Sequence, residues 1–349
     1  MSKGLKKIRM FLDFTRSYFD KDYEYDYWHM PLKVSDMDVE GDYFLDLSPK
    51  ADFPGPFDEK GIPLLDLSTQ HYTSRSDKVY FPVTILQYGL GMWARHMKSR
   101  DSRAKRAFTD VVEWIFRKHE ISSPGGEDLA SIYTNFHGGR ASSAMAHGQA
   151  VSLLVRAYRM DRPAGALDLA KSFFNTFKYV INNGGVVSGY EGVDILEEHT
   201  TDPVHVLNGH IFAFFGLIDL LALLRETGDP DTAEVERYYD KYLFSTEQLV
   251  IRCDTGFWSR YCIKRNIFTG ISSRFYHELH IQQLKALYNI TGRELFRSYA
   301  EKWEENSSRT FNSILAYLIK TAGKIWLSVF LRGKYRDVGD DPGEIPGIA

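Results

Sequence analysis

From Tyr80 onward apolar residues recur at intervals of three and four, the spacing of helices that bury one face, whereas Asp20 to Lys78 keeps no sustained period. That earlier segment is rich in Asp, Pro, Gly and Tyr and is expected to be irregular with short strands. Beyond it the spacing predicts helical hairpins, each pairing a long apolar helix with an amphipathic return helix. They are Phe81 to Met97 with Arg103 to His119, Ser142 to Met160 with Pro163 to Ile181, Pro203 to Glu226 with Pro230 to Val250, and Tyr276 to Asn289 with Arg293 to Glu305.

Local chemistry supplies the expected boundaries. Asp202 is placed to cap a helix whose first position is Pro203, Gly228 can end it in left-handed backbone, and Asp229 with Pro230 repeats the start. His205 to Leu224 is almost wholly apolar, as in a helix covered on all sides. Inner helices ringed by outer ones make a mainly α fold, an incomplete (α/α) toroid whose groove lies where successive hairpin loops converge. The chain then divides into an N-terminal segment (1–79), a helical catalytic domain (80–306) and a C-terminal helix and tail (307–349).

The last strong pattern, Ile314 to Leu331, surrounds a narrow polar stripe of Lys320, Thr321, Lys324 and Ser328 with apolar residues. It is amphipathic and too polar to span a bilayer comfortably. Two readings stay open: a last helix packed on the toroid, or a helix on a membrane surface, helped by Arg332, Lys334 and Arg336, giving peripheral membrane contact through 311–336.

Composition narrows the classes. A chain of 349 residues with 44% hydrophobic content can bury a sizeable core. Its formal net charge of -3 gives no general attraction for nucleic acid, so an anionic partner has to meet a local basic patch. Cys253 and Cys262 are too few for a disulfide framework and lack zinc-site spacing, so packed thiols in a reducing compartment are expected. The charged first residues show no secretory pattern, which makes cytoplasmic localisation the expectation. The 21 tyrosines and 6 tryptophans could stack on sugar rings, although tyrosine is also a common half-buried residue.

Several ordered blocks carry more information. They are S-A-M-A-H-G-Q-A at Ser143 to Ala150 with V-R-A-Y at Val155 to Tyr158, and E-E-H-T-T-D-P at Glu197 to Pro203 with V-L-N-G at Val206 to Gly209 and G-L-I-D-L at Gly216 to Leu220. Asp254, Thr255 and Gly256 then precede Tyr261, and Tyr276, His277, His280, Ile281, Gln283 and Leu284 follow a Y-H-x-x-H-I-x-Q-L pattern. Upstream, Tyr80 to Leu90 reads Y-x-P-x-x-x-x-Q-Y-G-L and includes Tyr88. Together, from Tyr80 to Trp303, these blocks resemble the C-terminal helical domain of glucuronyl C5-epimerases of the heparosan type. The resemblance implies conversion of D-glucuronic to L-iduronic acid residues within an anionic, heparosan-like polysaccharide. It also implies catalytic tyrosines at Tyr261 and Tyr276 and an acidic residue at Glu198.

The sequence departs from the family at two places. Position 199 is His where the family has Tyr, and Leu90 runs almost directly into helix where animal members insert a β-domain. Contacts made by that domain then have to come from Asp20 to Lys78 or from a second subunit, as in a homodimer.

Inverting C5 of a uronic acid removes a proton beside a carboxylate and returns one to the opposite face. The developing charge enters a group that is already negative, so cations or hydrogen-bond donors must neutralise it. Two proton-transfer groups on opposite faces then suffice, and the logic requires neither a cofactor nor a metal. Tyrosine, with a reference pKa of about 10, is a poor base unless cations depress it, whereas histidine at about 6.5 needs no such help. His199 or Glu198 is therefore expected to serve one face and Tyr261 or Tyr276 the other.

Arg260, Lys264, Arg265 and Arg274 surround the tyrosines in sequence and are candidates for carboxylate neutralisation, each equally readable as a solvated charge. Lys264 stands where animal members carry Arg. Asn208 and Gln149 could anchor hydroxyls or cap loop carbonyls, and Tyr88 joins them as a substrate-contact candidate. His280 reads more readily as packing, His277 beside Tyr276 as a contact, and His147 replaces a family glutamine. Gly148 and Gly209 within helices suggest close approach of neighbouring helices. A uronate lyase shares the first chemical step. A glycoside hydrolase needs two opposed carboxylates, which the adjacent Glu197 and Glu198 cannot provide, though a distant acid such as Asp254 could. A non-catalytic polysaccharide-binding scaffold of exopolysaccharide synthesis is the remaining alternative.

Overall fold

The computed structural model describes residues 12–20, 23–35, 41–69, 77–134 and 140–330, with side chains as far as Ile325. Residues 12–19 form helix α1. Eight long helices then pair as the periodicity predicts: α2 (Pro82–Ser99) with α3 (Ser102–Lys118), α4 (Ala144–Asp161) with α5 (Ala166–Asn175), α6 (Leu207–Thr227) with α7 (Thr232–Cys253), and α9 (Arg274–Thr291) with α10 (Glu294–Ser308). Between the third and fourth pairs lies the short α8 (Ile267–Gly270), and α11 (Thr310–Phe330) follows. Short antiparallel pairs complete the described elements: β1 (Leu65–Asp66) with β2 (Lys78–Val79), β3 (Glu120–Ser122) with β4 (Leu129–Ser131), and β5 (Val187–Tyr190) with β6 (Val193–Leu196).

The fold is mainly α. The apolar members α2, α4, α6 and α9 pack in a row in which each touches the next. These contacts establish the row and not its curvature into a toroid. Close approach has an atomic cause: a Cβ on Gly148 would stand 2.5 Å from Ala213 Cα, and one on Gly216 would overlap the Gly148 carbonyl. No side chain separates the α4 and α6 backbones there. By length and composition α6 could cross a membrane, yet 94% of its apolar window is buried inside the protein, as in a core helix. Buried in the same region, Arg156 of α4 binds Asp219 of α6 at 2.6 Å and donates to the Asp42 carbonyl, tying the N-terminal segment to both helices. Leu45, Leu47, Ile62 and Leu67 of that segment belong to the same core as the helices.

Three boundaries differ from the sequence expectation. Helix α6 starts at Leu207 rather than Pro203, with Val206 as its uncapped boundary residue. The preceding residues instead pair with the chain around Tyr261: Leu207 N donates to Tyr261 O at 3.1 Å, and Val206 bridges Cys262. A long-range pairing thus overrides the Asp202–Pro203 start signal. Helix α5 ends at Asn175, because Val186 N donates to the Thr176 carbonyl and turns the chain away. Helix α7 starts at Thr232, while Asp229 Oδ1 accepts from Asp231 N in the turn before it.

Helix α11 packs against α8 and α10. Lys320 turns inward, its Nζ donating to the Ile271 carbonyl at 3.0 Å, and a Cβ on Gly323 would overlap the Phe268 carbonyl. A small second core of Tyr18, Trp258, Ile271 and Ala316 joins α1 and α11 to the loop before α8.

Candidate active site

Glu197, Glu198 and His199 follow β6 directly. The backbone of Glu197 is held on both sides, donating to the Val186 carbonyl and accepting from Ala144 N in the first turn of α4, each at 2.8 Å. Its carboxylate is saturated as well. His205 N donates to Oε2 at 3.1 Å, His205 Nδ1 lies 2.5 Å from Oε1, and the Ser188 hydroxyl donates to Oε1. His205 does this from left-handed backbone, at φ +61°.

Glu198 is the opposite case. It is 1% exposed, and neither carboxylate oxygen has a hydrogen-bond partner among the described residues. A Cβ on Gly209 would strike Glu198 Oε2, so this glycine makes room for the carboxylate rather than for a neighbouring helix. Burial, reinforced by the negative charge of Glu197, raises the Glu198 pKa well above the ordinary carboxylate range. His199 Nε2 stands 3.9 Å from Glu198 Oε1.

Tyr261 lies on the segment that pairs with Val206, and Tyr276 lies in the first turn of α9, where Ser273 Oγ accepts from Tyr276 N. Their rings are 5.0 Å apart at 60°. Burial pushes the Tyr261 phenol well above its usual range, the charge on Glu198 adds to the rise, and Arg265 opposes it. In this state Tyr261 holds its proton. The His29 ring stands edge-on to Tyr276 at 6.3 Å, bringing the N-terminal segment to the tyrosine pair.

A cleft open to solvent is lined by Glu198, His199, Thr201, Ser142, Ser143 and Thr134 among its polar residues, with Phe81 and Ile132 on its apolar wall. Neither Tyr261 nor Tyr276 is among its walls. Among the described residues, no group of three or more His, Cys, Asp or Glu side chains is placed to hold a metal ion.

The structure therefore puts Glu198 next to His199 and within electrostatic reach of Tyr261, whose ring adjoins that of Tyr276, and engages most of the other candidates elsewhere. Arg260 donates to the carbonyls of Ile263 and Arg265, Lys264 to that of Pro203 at 2.8 Å, and Arg274 pairs with Glu278 at 2.8 Å while donating to Tyr18 O. Arg260 braces its own loop, whereas Lys264 and Arg274 tie theirs to the segment before α6 and to α1. Arg265 alone of the four acts on Tyr261. His277 accepts from Ser259 N at Nδ1, faces the Trp303 carbonyl with Nε2 and stacks on Trp258 at 3.8 Å. Burial lowers its pKa to about 3, so it is a neutral packing residue rather than a substrate contact. His280 meets Ser259 Oγ at 2.9 Å and is likewise pushed down by burial. His147 bridges Thr176 and Ile132 N. Gln149 and Asn208 are buried on the inner helices with amide atoms that find no partner among the described residues, and Tyr88, 5% exposed, packs edge-on to Phe57. None of these lines the cleft. The Glu197–His205–Ser188 cluster is absent from the sequence expectation, since no local spacing signals a positive φ at position 205.

Residues 133–305 match the family model described as the D-glucuronyl C5-epimerase C-terminus. Through this segment, the chain belongs to that family. All four clustered residues and the Glu197–His205 pair fall inside the C5-epimerase segment. A D-glucuronyl C5-epimerase of Caenorhabditis elegans is 30% identical over 172 residues, covering 46% of this chain and 28% of the worm protein. An uncharacterized protein of Methanocaldococcus jannaschii is 28% identical over 167 residues, covering 46% of this chain and 51% of its own length. The chain thus spans between about a quarter and a half of the curated relatives it matches.

Proposed function

We propose that this chain epimerises D-glucuronic acid to L-iduronic acid residues at C5 within a heparosan-like polysaccharide. The observation that carries the reading is Glu198: a buried carboxyl group with no hydrogen-bond partner among the described residues, 3.9 Å from His199 and within electrostatic reach of Tyr261. Such a group is costly to keep unless a bound ligand or a proton satisfies it.

The chemistry follows from the protonation states. Burial keeps Glu198 and Tyr261 protonated, so the resting site offers acids there, and His199 in the cleft wall is the group suited to accept a proton. The C5–H bond breaks and its proton passes to the His199 imidazole, while the electron pair enters the uronate carboxylate. Hydrogen bonds from protonated Glu198 and from the hydroxyls of the wall stabilise that charge. The Tyr261 O–H bond then breaks and its proton forms the new C5–H bond on the opposite face. His199 is left protonated and Tyr261 ionised, and Glu198 between them returns the proton. Tyr261 is 3% exposed, so polymer binding has to widen the cleft toward it.

The contacts of the missing β-domain are assigned to the N-terminal segment, which His29 already brings to Tyr276, or to a second subunit. The buried free thiols of Cys253 and Cys262 suit a cytoplasmic setting.

The test is incubation with heparosan in deuterated water, followed by NMR. Deuterium at C5 together with iduronate signals supports the reading. Exchange without iduronate, or an ultraviolet-absorbing unsaturated product, sinks it, the latter in favour of a uronate lyase. No reaction on any uronate polymer moves the chain to the binding-scaffold class.

A further inference from the structure

An outer helix ordinarily turns its polar residues to water, and α11 does the reverse. Between residues 311 and 325 every exposed side chain is apolar. Phe311 is 72% exposed, Ile314 41%, Leu318 55% and Ile325 58%. With Ala322 they recur at intervals of three, four, four and three, and so fall within roughly a quarter of the helix circumference. On the adjoining α8, Ile267 is 37% and Phe268 54% exposed, extending the face.

The polar residues are turned to the protein. Asn312 donates to the Asn306 carbonyl, Ser313 to that of Ser307 and Lys320 to that of Ile271. Lys324 lies over the Phe14 ring at 4.2 Å, and Tyr317 meets Thr15 at 2.8 Å. The Gly323–Phe268 contact seats the helix backbone directly on α8, so it cannot roll to exchange its faces. The described part of the sequence's polar stripe, Lys320, Thr321 and Lys324, is therefore turned toward the protein, and the outward face from Phe311 to Ile325 is apolar. Faces of this kind mark contact with a partner or a membrane.

Charge decides between these occupants. Arg332, Lys334 and Arg336 follow α11 before the first acid, Asp337, and Lys3, Lys6, Lys7 and Arg9 precede α1, which packs on α11 through Phe14 and Tyr317. These seven cations lie within nine residues in sequence of α1 or α11, in a chain whose formal net charge is -3. A second copy docked here would bring like charges together, whereas anionic headgroups neutralise them. We propose that α11 lies along the surface of an anionic lipid bilayer, its Phe311–Ile314–Leu318 face at the boundary of headgroups and acyl chains.

The test is sedimentation of the full chain with vesicles of phosphatidylcholine alone or mixed with phosphatidylglycerol. Binding to the mixed vesicles, weakened by salt, is expected. It should be lost in Ile314→Asp/Leu318→Asp with an unchanged thermal melt, since both side chains point outward, and Arg332→Glu/Lys334→Glu should lose the preference for anionic lipid. Three results overturn the proposal: no binding to either vesicle, equal binding to both, or a dimer in sedimentation equilibrium that the double aspartate variant dissociates while lipid is ignored.

Discussion

His205 Nδ1 lies 2.5 Å from Glu197 Oε1, and the same residue donates its backbone N–H to Oε2 at 3.1 Å from a φ of +61°. Its carbonyl accepts from Ile263 N, two residues beyond Tyr261. One strained residue thus links the loop that carries Glu198 to the segment that carries Tyr261, and it leaves the Glu197 carboxylate fully engaged. Strain of this kind costs about 1–3 kcal/mol and persists where the surroundings over-determine it.

Replacing His205 should therefore affect both stability and turnover. His205→Ala leaves a buried carboxylate short of a donor and is expected to lose about 1–3 kcal/mol in denaturant unfolding. His205→Asn should retain more stability than His205→Val, because Asn tolerates left-handed backbone and a β-branched residue does not. Equal stability of the Asn and Val variants would remove the backbone argument.

Glu198→Gln separates charge from shape. The folded carboxyl pKa is raised, so the stability present in full below the unfolded value of about 4.3 is lost as pH rises through the folded value. Glutamine carries no such proton. The variant should match the parent in acid and melt higher at neutral and alkaline pH, by about 1–2 kcal/mol, while losing epimerisation. A constant difference across pH would mean that the carboxyl group is not raised.

Two glycines with the same sequence signature should behave differently. Gly216→Ala forces the α4 and α6 backbones apart and is expected to cost about 3 kcal/mol or more. Gly209→Ala meets Glu198 at its Cβ as well as at Oε2, so the loop that carries Glu198, rather than a second helix, has to shift. It should cost less stability, about 1–2 kcal/mol, and more activity. Thermal melts and initial rates of both variants make the comparison.

These contrasts show what the sequence could and could not carry. Hairpins were legible because periodic burial is local, and the blocks around Glu198, Tyr261 and Tyr276 brought the core of the site with them. The start of α6 was not, because the pairing of 204–206 with the Tyr261 segment joins residues far apart in the chain. Arg260 and Arg274 looked like carboxylate clamps because composition records a cation but not which carbonyl it already serves. The stripe on α11 was visible as a pattern, yet which face points outward depends on where Lys320 and Gly323 dock.

Tyr261 and Tyr276 stand close enough to substitute for one another, and isotope exchange distinguishes them. If Tyr261 is the acid for the face opposite His199, Tyr261→Phe retains proton removal but cannot reprotonate with inversion. It should wash deuterium into C5 of glucuronate while iduronate formation falls by about 100-fold or more, the range of a lost general acid. His199→Ala should abolish both signals together. Retention of full inversion in Tyr261→Phe, with loss in Tyr276→Phe, would pass the role to Tyr276; loss of exchange and inversion alike in Tyr261→Phe would make Tyr261 the base instead.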